Sequence, residues 1–373
     1  MRFPKEKIIT TLIIFILLFL LTTVIVFSAG ESPSLSARAA ALYETSTQEF
    51  LYSKRGNERL PLASTTKIVT ALVAIDSYPL DEEVSIVPEA CGIEGSSLYL
   101  KPGETLSMRE LLTALMLRSA NDAAVAIAYA VAGGTEPFAD MMNERVASLG
   151  LTDTHFTNPH GLDDKEHYTT ARDLSLIAAE AMKNDAFKEI CSLKKDKIIN
   201  SDGDVRLVVN HNKLLRLYDG AIGVKTGFTK KSGRCLVGAA ERDGIMLITV
   251  TLDAPDDWND HAKMFDYGFS VMENRTVAKP GDFTYTVPVI GSDKDAVTVS
   301  NKEELKIILN KNSDKITNEV ILPRYTASPI TEGQKLGKVV FYKNGDIICE
   351  LPLTADASAQ KRENGGPFHR FKK

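Results

Sequence analysis

The sequence predicts an α+β protein in which an antiparallel sheet has helices packed around it and a small all-β domain follows. Three observations predict this. Strand-like runs open and close residues 37–272, with helical periodicity between them. After Asn274 the texture changes to short β-branched and aromatic runs separated by Gly, Asn, Asp and Pro. The length of 373 residues has room for two domains.

In chain order, Ile8 to Gly30 carries no charged residue and follows Arg2, Lys5 and Lys7. Residues 1–29 therefore read as a signal peptide or as an N-terminal membrane anchor. Cleavage after Ala29 fits its small side chain, whereas Phe27 and the length of the run favour the anchor. Both readings place the rest of the chain outside the cytoplasm. Residues 30–36 form a short Ser/Pro linker.

Ser64-Thr65-Thr66-Lys67 precedes Ile68, Ala71, Leu72 and Ile75, an i, i+3, i+4, i+7 pattern that predicts a buried helix face. Ser64 then lies at or near the helix N-terminus, a position favoured by serine. Lys67 lies one turn later, beside it. A serine hydroxyl is a weak nucleophile until a base removes its proton, and a desolvated lysine near other cations can be that base. Leu111, Leu112, Leu115 and Met116 predict a second buried helix, and Ala123–Ala132 a third. Ser119-Ala120-Asn121 forms the tight connection, where a hydroxyl and an amide can face the same way.

Ala221–Val224 has strand character and leads into Lys225-Thr226-Gly227. Lys and Thr at a sheet edge can bind a carboxylate, and glycine lets a ligand approach the backbone. Cys235–Val237 and Met246–Leu252 read as the next two strands, joined at Glu241-Arg242-Asp243-Gly244. Thr170-Ala171-Arg172-Asp173 has capping-box spacing, with Asp in place of Glu.

Six short strands are expected from Phe283 to Leu351, in a domain spanning 278–352. Residues 354–373 contain Gly365-Gly366-Pro367 and few apolar residues, and read as a disordered tail. Cys91, Cys191, Cys235 and Cys349 lack metal-ligand spacing and read as free buried thiols. A net charge of −5 argues against a nucleic-acid binder.

Each triplet alone is a common surface or cap pattern. Together and in this order, Ser64-Thr65-Thr66-Lys67, Ser119-Ala120-Asn121 and Lys225-Thr226-Gly227 resemble the motifs of the low-molecular-mass penicillin-binding proteins, specifically the serine-type D-alanyl-D-alanine carboxypeptidases. Ala37–Glu44 followed by Leu51–Ser53 looks like the family's opening hairpin, and with the segments Phe156–Leu162 and Thr169–Asp173 it extends the likeness to roughly residues 35–352. The resemblance implies a β-lactamase/transpeptidase-like domain with a C-terminal β-sandwich. It implies peptidoglycan stem peptides ending in D-Ala-D-Ala as substrate, β-lactams as covalent inhibitors, and no metal or organic cofactor. It also implies roles: Ser64 as nucleophile, Lys67 as general base, Ser119 as proton relay, and Asn121, Lys225, Thr226 and Gly227 as substrate-binding residues. The backbone N–H groups of Ser64 and Phe228 would form the oxyanion hole.

Four other readings compete with this one. A class A β-lactamase needs Glu-x-x-Leu-Asn, but Glu166 is followed by His167-Tyr168-Thr169-Thr170. A D,D-endopeptidase shares the motifs and stays open. A metal-dependent peptidase lacks His-Glu-x-x-His around His155, His160 and His167. A wall-binding protein without activity would not need every motif residue. Arg234, on the strand after the third motif, is left without a role.

Overall fold

The computed structural model describes residues 32–201 and 203–362. The expected segment 1–29 lies outside them. Among the described residues no helix is long and apolar enough to cross a membrane.

The strands of the first domain are β1 (Ala39–Glu44), β2 (Glu49–Lys54), β3 (Glu83–Ser85), β4 (Thr105–Ser107), β5 (Lys195–Ile199), β6 (Val205–Val209), β7 (Ala221–Thr229), β8 (Gly233–Arg242) and β9 (Ile245–Leu252). Five of them form one sheet in the order β2-β1-β9-β8-β7, and all its neighbours are antiparallel. β3–β4 and β5–β6 are separate hairpins. The first and last strands of the domain therefore lie side by side, which places β7 at one sheet edge.

The sheet is buried on both faces, and β1 shows why. Successive side chains point to opposite faces. Ala39, Ala41 and Tyr43 enter the larger core, whereas Ala40 and Leu42 enter the smaller one. The larger core holds helices α1 (Lys67–Ser77) and α2 (Met108–Thr113), together with α3 (Asn121–Ala132). Both α1 and α3 are apolar nearly all round, as befits helices enclosed by protein. Helices α4 (Thr135–Ser148), α5 (Ala171–Ala181) and α6 (Asp185–Ser192) pack outside them, with Phe138, Leu174 and Phe187 pointing inward. On the other face, after the short α7 (Leu214–Leu217), helix α8 (Asp257–Val271) contributes Met264 and Phe265. A Cβ on Gly268 would stand 2.6 Å from Leu247, so glycine is what lets α8 lie this close to the sheet.

The second domain begins one residue after α8. Its strands are β10 (Met272–Ala278), β11 (Thr284–Ile290), β12 (Ala296–Ser300), β13 (Leu305–Asn310), β14 (Ile316–Ile321), β15 (Thr326–Ala327), β16 (Lys335–Lys343) and β17 (Asp346–Ala355). A six-stranded sheet, β14-β16-β17-β12-β11-β15, shares a core around Val287, Val299, Phe341 and Leu353 with residues of the β10–β13 ribbon. The α+β class and the all-β second domain are as expected.

Some local expectations need correction. The tail does not begin at residue 354. β17 continues to Ala355, fully buried Ala359 bridges to Ile330, and Lys361 bridges to Ser292. Polar composition hid this because backbone pairing, not side-chain burial, holds most of the segment. Residues 363–373 lie outside the described part. The four cysteines are free, but Cys91 and Cys349 are only partly buried. Thr170 caps α5 by accepting from the Asp173 N–H, yet the Asp173 carboxylate accepts from Thr154 Oγ1. The reciprocal capping box sits at Ser107 and Glu110 instead.

Candidate active site

Ser64 belongs to a 3-10 turn, Ala63–Thr66, that runs without a break into α1. It is near the helix start, as expected, but its side chain caps nothing. Thr65 and Thr66 hold the turn, donating their hydroxyls to the Leu62 and Ala63 carbonyls at 2.6 and 2.8 Å. The Ser64 hydroxyl is thus left to face the cleft. Ala63 adopts a left-handed φ of 49°, and a Cβ on the neighbouring Gly161 would meet its carbonyl at 2.0 Å. Only glycine lets the 158–162 loop press this closely on the turn.

Lys67 is fully buried beneath the cleft. Its Nζ lies 3.1 Å from Ser64 Oγ, 2.7 Å from Asn121 Oδ1 and 2.6 Å from the His160 carbonyl. Burial, and then the nearby Lys225 ammonium, push its pKa well below the ordinary lysine value, against a smaller opposing pull from Asp122. Among the described residues no carboxylate hydrogen-bonds its amine.

The second motif arises where the helix begun by α2 widens into a single π turn, Ala114–Arg118. Ser119 then takes a left-handed φ of 62°, which reverses the chain and starts α3 at Asn121. The Asn121 side chain is fixed at both ends, as Nδ2 donates to the Glu94 carbonyl at 2.5 Å. Asp122, wholly buried, accepts from Ser97 Oγ and from the Leu98 and Leu100 N–H groups. It pins the loop that forms one rim of the cleft. The sequence reading missed this role, because only the fold brings residues 97–100 to the α3 N-terminus.

The third motif lies on β7, as expected. Lys225 is 1% exposed and donates to the Thr226 carbonyl at 2.9 Å. Burial lowers its pKa to about 7. A Cβ on Gly227 would stand 3.0 Å from both Ser64 N and Leu62 O, so β7 and the Ser64 turn touch through this glycine. Phe228 turns its ring to solvent and pairs with Arg234 across β7–β8.

Ser64, Ser119, Thr226, Gly227 and Phe228 line one cleft of about 620 Å3, and Lys67, Asn121 and Lys225 lie around it. The three triplets therefore converge although up to 163 positions separate them. Arg234 also lines this cleft, donating to the buried Asp257 carboxylate at 3.0 Å. Asp257, Trp258, His211, Lys213 and Arg216, which also line it, escaped the sequence reading. They belong to no motif and reach the cleft only through the packing of α7 and α8.

His155, His160 and His167 serve the loop structure. His155 pairs with Tyr168 through the backbone. The His160 ring accepts from the Leu162 N–H at 3.2 Å. The His167 Nδ1 accepts from the Thr157 N–H, which leaves Nε2 to donate to Thr66 Oγ1 at 2.8 Å. Burial lowers their pKa values to about 4 and about 3 for His160 and His167.

A buried lysine held against a serine hydroxyl, with a second cation and a free strand edge alongside, is equipped for acyl transfer. Residues 26–256 match the family model described as D-alanyl-D-alanine carboxypeptidase. The chain belongs to the D-alanyl-D-alanine carboxypeptidase family. Residues 273–361 match the model described as the C-terminal domain of penicillin-binding protein 5, which reaches past the expected domain end at 352. Among family members, the carboxypeptidase DacF of Bacillus subtilis is 31% identical, covering 87% of this chain and 86% of its own. DacC of Escherichia coli is 32% identical, covering 95% and 92%. Penicillin-binding protein 5 of Haemophilus influenzae is structurally similar at a TM-score of 0.65 and 26% identity, covering 89% of this chain and all of that one. The Streptomyces K15 DD-transpeptidase aligns at 0.62 and 33% identity over 65% of this chain. Like these relatives, the chain is a serine-type D,D-peptidase of the carboxypeptidase family.

Proposed function

We propose that this chain removes the terminal D-Ala from peptidoglycan stem peptides through a Ser64 acyl-enzyme. The observation that carries the reading is the buried Lys67 amine 3.1 Å from Ser64 Oγ. A neutral amine has two N–H bonds and one lone pair. The N–H bonds match Asn121 Oδ1 and the His160 carbonyl, and the lone pair is left for the Ser64 hydroxyl proton.

Ser64 Oγ attacks the penultimate D-Ala carbonyl while its proton passes to Lys67. The Ser64 and Phe228 N–H groups hold the oxyanion that forms. As the intermediate collapses, the C–N bond breaks and Ser119 relays a proton to the departing D-Ala amine. Asn121 holds the peptide amide against β7. Lys225, Thr226 and Arg234 hold the terminal carboxylate, with Gly227 allowing its close approach. Water then cleaves the ester and restores Ser64. A β-lactam presents the same acyl group in a ring and acylates the same oxygen. The substrate lies outside the cytoplasm, where the uncharged run in residues 8–30 would direct the chain, either cleaved or held at the membrane.

The test is D-Ala release from a stem pentapeptide, with labelled benzylpenicillin in parallel. Ser64→Ala should abolish both. Labelling of that variant at another residue would sink the assignment.

A further inference from the structure

Three polar side chains at the start of α1 and on the turn before it are tied to a single loop. Thr66, Lys67 and Thr70 are fully buried, and residues three and four apart on a helix are neighbours. Lys67 Nζ donates to the His160 carbonyl at 2.6 Å, and Thr70 Oγ1 donates to the adjacent Pro159 carbonyl at 2.6 Å. Thr66 Oγ1 gives its proton to the Ala63 carbonyl and so accepts from His167 Nε2 at 2.8 Å. His167, itself buried, accepts at Nδ1 from the Thr157 N–H, at the start of the same loop.

The Thr70 bond is informative because a threonine inside a helix ordinarily turns its hydroxyl to its own i−4 carbonyl. Here the hydroxyl leaves the helix for the loop. Within the loop, Asn158 Oδ1 accepts from the His160 and Gly161 N–H groups at 3.3 and 2.7 Å, and Asn158 Nδ2 donates to the Leu162 carbonyl at 3.1 Å. The loop is thus curled on itself and fastened at Thr157 and Pro159, just before the carbonyl that Lys67 uses. Neither Thr70 nor His167 is among the described residues that line the cleft.

We propose that Thr70 and His167 are positioning residues for the Lys67 amine: they hold the His160 carbonyl against it, so that its lone pair faces Ser64. The proposal rests on the reading of Lys67 as the base. An amine whose two N–H bonds meet Asn121 Oδ1 and the His160 carbonyl has one orientation. With one acceptor lost it can rotate, and the lone pair leaves the Ser64 hydroxyl. The carbonyl also favours the ammonium form, so its loss lowers the Lys67 pKa further. The charged or titratable groups facing Lys67 are Lys225 on β7, Asp122 on α3, and His160 and His167. Burial holds the two histidines at about 4 and about 3, so replacing His167 removes no charge at neutral pH.

The experiment measures benzylpenicillin acylation by stopped flow across pH, on the full chain carrying Thr70→Val, which keeps the side-chain shape, or His167→Ala. Each should acylate about 10-fold more slowly on the pH plateau, short of the loss that a full ångström of misplacement brings. The acid limb of the profile should move to lower pH. Thr70→Ser restores the hydroxyl, and His167→Gln supplies one acceptor and one donor, so these variants should return both readings close to wild type. Damage to the fold lowers the fraction of chains labelled without moving the limb, so either single variant decides. Acylation at the full rate, a slower rate with the limb unmoved, or a loss that neither conservative variant relieves overturns the proposal. Near-normal acylation by Lys67→Ala would overturn the Lys67 reading itself. With that variant inactive, a failed result at Thr70 and His167 strikes this inference alone.

Discussion

Lys67 Nζ lies 3.1 Å from Ser64 Oγ while the rest of the lysine is sealed from solvent. A charged ammonium in that position would be costly, because no carboxylate among the described residues hydrogen-bonds it. Burial and the neighbouring Lys225 lower the Lys67 pKa, which favours the neutral form that the proposed base requires.

Lys67→Ala should lower benzylpenicillin acylation by about 10²- to 10⁴-fold, the usual worth of a general base. The base works deprotonated, so wild-type acylation should fall as pH drops through the depressed Lys67 pKa. Stopped-flow acylation across pH reads both effects. Near-normal acylation by the alanine variant at neutral pH would remove Lys67 from the mechanism.

Lys225 should make the fold more stable as pH rises. Its pKa of about 7 when folded lies below the ordinary 10.5, so between these values the unfolded chain binds a proton that the folded chain does not. Stability then increases with pH across that window, and the full cost is present below it. Lys225→Met should stabilise the fold by roughly 1–3 kcal/mol at pH 7 and flatten this slope, while D-Ala release is lost. Urea unfolding at pH 7 and 9.5 checks it, and an unchanged slope would contradict it.

Gly227→Ala should slow acylation by about 10²-fold, since displacing the reacting groups by an ångström costs on that order. The new methyl would stand 3.0 Å from Ser64 N and Leu62 O, both backbone atoms that cannot swing aside. Folding should survive, because Gly227 has an ordinary strand conformation. Unaltered acylation would show that the turn yields.

The penicilloyl adduct should be long-lived. Asp257 is the one carboxylate among the described residues lining the cleft, and Arg234 occupies it. Glu166, the acid nearest in sequence to a β-lactamase arrangement, is exposed on a loop. The adduct's half-life, set beside the turnover of a stem pentapeptide, measures this. Clearance as fast as peptide turnover would favour a β-lactamase.

Much of this was legible in the sequence because the chemistry sits in short segments at element boundaries. Ser64 and Lys67 lie one turn apart on one helix, so local periodicity was enough to pair them. Lys225 could be placed at a strand edge, but not as a buried amine, because its burial comes from packing between β7 and the helices. Arg234 was ambiguous for the same reason: its partner Asp257 is 23 positions away. The β5–β6 hairpin was missed because its outer face is mixed. Val205, Leu207 and Val209 are exposed there opposite Ile199, Lys197 and Lys195, which blurs the inside–outside alternation.

The contact at Gly227 has a wider consequence. Strand β7 and the Ser64 turn meet through a glycine Cα, with two main-chain atoms and the Ala63 methyl closest to where a side chain at 227 would stand. Substitution at 227 can only narrow this contact, because glycine is already the smallest residue, so in this chain the shape of the cleft is open to change at its lining side chains, such as Val209, Lys213, Arg216 and Trp258, rather than at that strand position.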